Sequence, residues 1–235
     1  MLRRTILFVA ATCALSLLAI TSVLLAQEPA EKGKGKGGKG KAVRPALVLQ
    51  EAWKLGATAA EHPVTPDNVA NSNAELKLYG PSGKDIQWTG TVGDENNPPH
   101  LWTGLCTSPC AATLRDKNNY IDLTGLGRIR WQTKASGFHT VRPVLKLADG
   151  TMLVGDHQDG TFTDWLTTEI TIADTRWVRL DDKRVVTVGG WVEHPDLSKV
   201  DEIGFADLIP GSGHGQGGWV DVADIAVFGK TVPRK

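Results

Sequence analysis

The amino-acid sequence predicts an all-β protein: an antiparallel β-sandwich that follows an N-terminal export helix and a disordered linker. Two observations favour this class. Short segments with a period of two residues follow one another beyond residue 46, and turn residues separate them. No long segment of helical period interrupts the series, and only Leu47–Ala60 is compatible with a short helix. Many short strands at regular spacing are typical of sandwiches and barrels, so we expect residues 46–235 to form one domain.

Residues 1–26 have the features of an export signal. Arg3 and Arg4 precede an apolar run from Ile6 to Ala26. The run is also about long enough to span a bilayer, which takes ~20 apolar residues. We favour a cleaved signal peptide over an uncleaved membrane anchor. Either one predicts an exported domain, whether periplasmic, secreted or at the cell surface.

Residues 27–45 form a lysine- and glycine-rich segment with GKGKGGKGK at its centre. This composition predicts a solvated, disordered spacer, and its lysines allow contact with an anionic membrane surface. The charge distribution is uneven, because residues 1–41 hold seven basic and two acidic side chains while residues 42–235 hold 19 basic and 24 acidic ones. A mildly acidic domain argues against nucleic-acid binding, which requires clustered positive charge.

Individual strands are visible in the sequence. Ile129, Trp131 and Thr133 alternate with polar neighbours, and Asp149-Gly150 predicts a hairpin turn between two strands. The further strand candidates are Leu76–Leu78, Tyr120–Leu123, Val141–Leu147, Glu169–Ile172, Trp177–Leu180, Val185–Val188, Ile203–Phe205 and Asp224–Phe228.

Cys106 and Cys110 form the sequence CTSPC. In an oxidising compartment we expect them to form a disulfide, which stabilises so short a loop by about 2 kcal/mol. The alternative is a metal site that includes His100. No second Cys/His cluster with ligand spacing accompanies it, so the disulfide is favoured.

Three loop-like segments hold a Trp and a His among Gly, Asp and Asn: residues 93–110, 155–165 and 210–219. If one end of the sandwich gathers them, the indole rings can stack on sugar faces while the polar groups bind hydroxyls. The candidate ligand-binding residues are His100, Trp102, Asp156, His157, Trp165, His214 and Trp219. The alternative is a structural role for each of them. Trp53, Trp131, Trp177 and Trp191 are predicted to lie in the core.

Two stretches carry a resemblance to a known family: "NYIDLTGLGRIRWQTKASGFHTVRPVLKLADG" and "DLSKVDEIGFADLIPGSGHGQGGWVDVADIAVFGK". They resemble the strands of galactose-binding-like β-jelly-roll domains, which include carbohydrate-binding modules. From Trp53 to its end the chain is also similar to a group of secreted bacterial proteins. The resemblance implies a jelly-roll sandwich. It leaves the activity open, because the superfamily includes sugar-binding modules, lectins and accessory domains of enzymes.

The resemblance further implies a possible structural calcium ion at a sandwich edge. The oxygen ligands on offer are Asp67, Asn68, Asn71, Asp221 and Asp224. The sequence contains no EF-hand spacing, so this cofactor prediction depends on the resemblance alone.

The functional prediction is a carbohydrate-binding module that holds a cell-wall or extracellular polysaccharide. The alternatives are a glycan-cleaving enzyme on a β-sandwich and a structural cell-envelope protein. The carboxylates open to an enzyme are Asp156, Asp159, Asp164, Glu169 and Asp207, and they form no recognisable catalytic motif.

Overall fold

The computed structural model describes residues 44–56, 61–210 and 217–234. The described residues all belong to one compact unit. The predicted export helix, most of the linker and His214 lie outside the described residues, so export and its processing stay predictions. Within the described ranges, no helix has the length and apolar character needed to cross a membrane.

Strands dominate the domain. They are β1 Ala46–Glu51, β2 His62–Pro63, β3 Ala74–Tyr79, β4 Gln87–Thr89, β5 His100–Trp102, β6 Cys110–Asp116, β7 Asn119–Asp122, β8 Arg128–Ser136, β9 Val141–Leu147, β10 Met152–Gly155, β11 Phe162–Thr171, β12 Trp177–Asp181, β13 Val186–Val192, β14 Val200–Asp207 and β15 Trp219–Pro233. Single turns of 3-10 helix occupy Pro66–Asn68, Gly83–Asp85 and Ile172–Asp174. The predicted all-β class is confirmed.

The short helix considered for Leu47–Ala60 is wrong. Residues 46–51 form β1 instead, which pairs antiparallel with β15 and buries Leu49. Pairing satisfies the backbone hydrogen bonds of this segment and places one face on the core, and these tertiary gains outweigh a weak local helix preference.

Two antiparallel sheets form the sandwich. Sheet 1 contains the strand order β11-β8-β15. On the other edge of β15, β5 pairs with its first part and β1 with the part that follows. Beyond β5, the sheet continues with β4 and then β2. Sheet 2 has the order β13-β12-β10-β9-β14-β6-β3. Strand β7 pairs with both β14 and the end of β15, so it joins the sheets. The predicted antiparallel pairing is confirmed throughout the described ranges.

One hydrophobic core lies between the two sheets. Trp131 comes from sheet 1 and Trp177 from sheet 2, and both indoles are fully buried. Trp53 is also buried and donates a hydrogen bond from Nε1 to the carbonyl oxygen of Val222 at 3.0 Å. The predicted core positions of these three residues are confirmed, whereas that of Trp191 is wrong.

A second, smaller core covers the outer face of sheet 2. Its members alternate along the strands with residues of the main core, and include Ala111, Val144, Met152, Val154, Leu180, Val185 and Ala206. The turn between β12 and β13 packs against this core. It is held there by a hydrogen bond from the Gly80 N–H to the carbonyl oxygen of Asp182 at 3.2 Å. Val185 in that turn is buried at φ 53°, a rare conformation for a β-branched residue. The protein's own turn therefore fills this part of the face.

A buried carboxylate connects neighbouring chain segments at the end of the sandwich where β14 ends and β15 begins. Asp207 accepts a hydrogen bond from Thr103 Oγ1 at 2.7 Å, and its Oδ2 lies 2.7 Å from His139 Nδ1. The neighbouring loop is closed by the Cys106–Cys110 disulfide, with both cysteines buried. The predicted disulfide is thus confirmed, and these contacts position the loops at this end.

Candidate functional site

Trp191 lies on an exposed edge of sheet 2. It belongs to β13, which pairs only with β12 among the described strands, and its side chain is 47% exposed. The register between the two strands shifts beside Gly189 and Gly190, where Val178 pairs with Trp191 but Arg179 pairs with Val188. Such a bulge re-aims the following side chain. Trp191 therefore presents its ring to solvent, contrary to the predicted core position.

Arg176 covers this ring. Its Cζ atom lies 4.3 Å from the centre of the Trp191 ring, within the range of a cation–π contact. Asp156 holds the arginine, since its Oδ2 accepts from Arg176 Nε at 2.8 Å and its Oδ1 accepts from the Arg176 backbone N–H at 2.9 Å. The two terminal nitrogens of Arg176 have no hydrogen-bond partner among the described residues. They remain available to a ligand.

The pKa of Asp156 reflects this clamp. Partial burial of the carboxyl raises its pKa, but the hydrogen bonds and positive charge of Arg176 outweigh that effect, and the pKa lies below its ordinary value. The carboxylate therefore stays ionised and keeps the guanidinium in place over the indole.

Two adjoining hollows surround this pair, and Thr175 lines both. The first has a volume of about 320 Å³ and is lined by Ile172, Ala173, Thr175, Arg176, Trp177, Trp191, Val192, Glu193, His194, Pro195 and Leu197. The second also measures about 320 Å³ and is lined by Asp156, His157, Glu169, Ile170, Thr171, Asp174 and Thr175. We call the two hollows together the Trp191 groove.

The second hollow contains two of the residues predicted from the sequence, Asp156 and His157. His157 is half-buried, and its Nε2 lies 3.0 Å from Asp159 Oδ1. Asp159 is buried and accepts a hydrogen bond from Trp131 Nε1 at 2.5 Å. A contact that reaches into the main core thus fixes the orientation of the imidazole in the groove wall.

Backbone strain accompanies the first hollow. His194 has a φ of 50°, in the left-handed region that non-glycine residues seldom adopt. Such residues are found preferentially at binding and catalytic sites, where the surrounding structure holds them. His194 follows Glu193, and both side chains are exposed in the groove wall.

The predicted aromatic residues gather elsewhere, on the outer face of sheet 1. The rings of His100 and Trp165 lie 5.2 Å apart in an edge contact, and Trp165 Nε1 donates to the carbonyl oxygen of Asn96 at 3.1 Å. Trp102 pairs across the strands with Asp221, and Trp219 lies two residues before Asp221 on β15. Four predicted residues thus share one region. None of them lines the Trp191 groove, and His100 and Trp102 are buried.

His100 and Asp221 form the buried centre of this aromatic region. His100 Nε2 lies 3.5 Å from Asp221 Oδ1, which has no hydrogen-bond partner within the described residues. Burial raises the pKa of Asp221 to about 8 and lowers the pKa of His100 to about 4. At neutral pH the carboxyl is therefore protonated and the imidazole neutral, so this contact is not an ion pair.

The residues proposed for calcium do not assemble into a set of ligands. Asn71 donates from Nδ2 to the carbonyl oxygen of Gln50, while its Oδ1 accepts from the Asn73 N–H at 3.0 Å. Asp224 accepts from Gln50 Nε2, Asp221 is buried beside His100, and Asp67 is exposed in a 3-10 turn. In the described part of the chain, no three His, Cys, Asp or Glu side chains are arranged to hold a metal ion. Asn71, Asp221 and Asp224 instead make separate contacts within the described part of the domain.

Most carboxylates considered for an enzyme bind neighbouring groups of the domain. Asp207 and Asp159 are buried and hydrogen-bonded, as described above. Asp156 is clamped to Arg176, and Glu169 lies 3.2 Å from Arg128 Nη1. Asp164 is exposed. The four carboxylates other than Asp164 therefore bind and orient other side chains of the domain.

Comparisons with known proteins give structural similarity alone. No family model matches the chain, and no curated protein matches it. Among solved structures, a family 11 carbohydrate-binding module of Clostridium thermocellum cellulase Lic26A-Cel5E aligns at 14% identity and a TM-score of 0.42, over 81% of this chain and 97% of the module.

Two further structures are similar at a comparable level. TmCBM61, solved with β-1,4-galactotriose, aligns at 11% identity and a TM-score of 0.36, over 68% of this chain and 90% of its own. An exo-β-agarase aligns at 10% identity and a TM-score of 0.39, over 76% of this chain and 26% of the agarase. These three similarities concern the course of the backbone, at sequence identities of 14% or less.

Sequence reasoning missed Trp191 and Arg176 as site residues. The available signal was Gly189-Gly190 directly before the tryptophan, since paired glycines inside a strand pattern indicate a bulge. Arg176 had no local signal, because 15 residues separate it from Trp191 and only the β12–β13 pairing brings the two together.

Proposed function

We propose that the domain binds carbohydrate in the Trp191 groove. The observation that supports this proposal is the exposed Trp191 ring, joined to a clamped guanidinium in the wall of a groove lined by polar groups. Sugar rings carry C–H bonds on one face and hydroxyls at their rim. An aromatic face with a few fixed polar groups matches both requirements.

The roles divide between the two hollows. In the first, a sugar ring packs on the part of the indole that Arg176 leaves open. The terminal nitrogens of Arg176 donate hydrogen bonds to oxygens at the junction between two sugar units. In the second, His157 and Thr175 offer hydrogen-bonding groups to the next unit. The arrangement fits a glycan of at least two units that lies along the groove.

The aromatic region on sheet 1 is the competing location for the same function. Trp165 is only partly exposed, and its indole N–H is already satisfied by Asn96. His100 and Trp102 are buried. Their contacts favour a structural role, so the groove is the better candidate.

The test is binding of the full chain to a panel of neutral and charged polysaccharides, with Trp191→Ala and the matched variant Trp165→Ala. We expect Trp191→Ala to weaken retention about thirtyfold, which corresponds to about 2 kcal/mol for an aromatic anchor. The Trp165→Ala variant should retain the glycan as strongly as the wild-type chain does. Thermal unfolding of both variants checks that each is folded.

A reversed result, with Trp165→Ala deficient and Trp191→Ala intact, would move the site to sheet 1. If the wild-type chain retains no glycan of the panel, carbohydrate binding is wrong.

A further inference from the structure

The charges along the Trp191 groove are unbalanced. Its acidic residues are Asp156, Glu169, Asp174 and Glu193. Among the described residues that line it, Arg176 is the one arginine or lysine, and the groove also contains His157 and His194. Asp156 pairs with the Arg176 guanidinium, whose Nε donates to Asp156 Oδ2 at 2.8 Å, and Glu169 lies 3.2 Å from Arg128 Nη1. Asp174 and Glu193 have no cationic partner among the residues described.

The two uncompensated carboxylates are divided between the hollows. Glu193 lines the first hollow and Asp174 the second, and both are exposed at the groove wall. Each hollow thus places one free negative charge beside the position proposed for one sugar unit. A concave site lined by one sign of charge concentrates ligands of the opposite sign.

We infer that the groove selects glycans with an amino group on successive sugar units, of the glucosamine type, over neutral and acidic glycans. The inference depends on the proposed carbohydrate function, and it names the substrate class of that site. An acidic sugar gains little from Arg176, whose charge Asp156 already offsets, and it is repelled by Asp174 and Glu193. An ammonium group meets one carboxylate in each hollow.

The test uses two tetrasaccharides that differ in one substituent per unit: the β-1,4-linked glucosamine tetramer and cellotetraose, which carries a hydroxyl in place of each amine. Calorimetric titration into the full chain should show the glucosamine tetramer binding roughly fivefold more tightly at low salt, as expected for two exposed charge pairs. The preference should disappear near 0.5 M salt, where screening shortens the range of such attractions.

The double variant Asp174→Asn/Glu193→Gln should abolish the preference, so that it binds the two tetramers with equal affinity. The control Asp67→Asn/Glu95→Gln removes the same charge from exposed positions outside the groove and should keep the preference. Tetragalacturonate should bind the double variant Asp174→Asn/Glu193→Gln more tightly than it binds the wild-type chain. Both carry the same basic linker, so any attraction of the polyanion to the linker cancels in this comparison.

Equal affinity of the wild-type chain for both tetramers, or failure to bind either, overturns the selectivity. Loss of the preference in the control double variant also overturns it, because the effect would then come from net charge. Carbohydrate binding itself survives these outcomes if the polysaccharide panel still shows Trp191-dependent retention.

Discussion

His100 Nε2 lies 3.5 Å from Asp221 Oδ1, and both side chains are buried between two strands on the outer face of sheet 1. Burial places the pKa of Asp221 at about 8 and that of His100 at about 4. The proton of the pair resides on the carboxyl at neutral pH. This has a measurable consequence for stability.

The folded state should lose stability as the pH rises from 6.5 to 8. Across this window folded Asp221 keeps its proton while the unfolded carboxyl has lost it, so rising pH favours unfolding. His100 acts in the opposite direction and at lower pH: because the unfolded imidazole binds a proton first, its contribution to stability is lost as the pH falls from 6.5 towards 4. Between pH 6.5 and 8, Asp221 is therefore the member of the pair that changes.

Asp221→Asn should remove this decline, which amounts to at most about 1.4 kcal/mol per pH unit. The measurement is the free energy of unfolding in urea at pH 6.5 and pH 8. Asp224→Asn, on the same strand, is the control and should keep the wild-type slope. An unchanged slope in Asp221→Asn would contradict the assignment.

Gly80→Ala should destabilise the fold by roughly 3 kcal/mol, because left-handed backbone strain and overpacking add at this position. Gly80 has a φ of 84°, and a Cβ atom there would lie 2.5 Å from the Pro109 carbonyl oxygen and 2.6 Å from Val185 Cγ2. Gly93 has a similar φ of 86° with open space around it, so Gly93→Ala isolates the backbone strain of about 1–2 kcal/mol. Urea denaturation of the two variants measures the difference. Equal losses of unfolding free energy in the two variants would mean that packing of the second core does not depend on the close contact between Gly80 and Val185.

Asp159→Ala should cost about 1–3 kcal/mol of stability. The substitution leaves Trp131 Nε1 buried without an acceptor, and a buried unsatisfied donor is expensive. Gln158→Ala, at the exposed neighbouring position, should change stability by less than about 0.5 kcal/mol. Chemical denaturation measures the free energy of unfolding of the two variants. An Asp159→Ala variant as stable as the wild-type chain would show that the Trp131 indole N–H finds another acceptor.

Individual strands and core residues were predictable because a period of two is a local property. Trp131 alternates with polar neighbours, and the structure buries it completely. The core position of Trp191 was predicted only because bulky aromatic side chains are usually buried, and it is wrong because a bulge beside Gly189 changes which side of the strand faces the core. Bulges arise from pairing with a partner strand, which one segment does not specify by itself.

Composition and local pattern determined that this protein is an all-β sandwich with a short disulfide loop, because alternation, turn residues and cysteine spacing act over a few neighbouring positions. The tertiary structure decided which aromatic ring faces solvent and which charged groups surround it. Trp191, Arg176 and Asp156 meet only through strand pairing and loop contacts between segments distant in the chain. Those contacts depend on the three-dimensional course of the backbone.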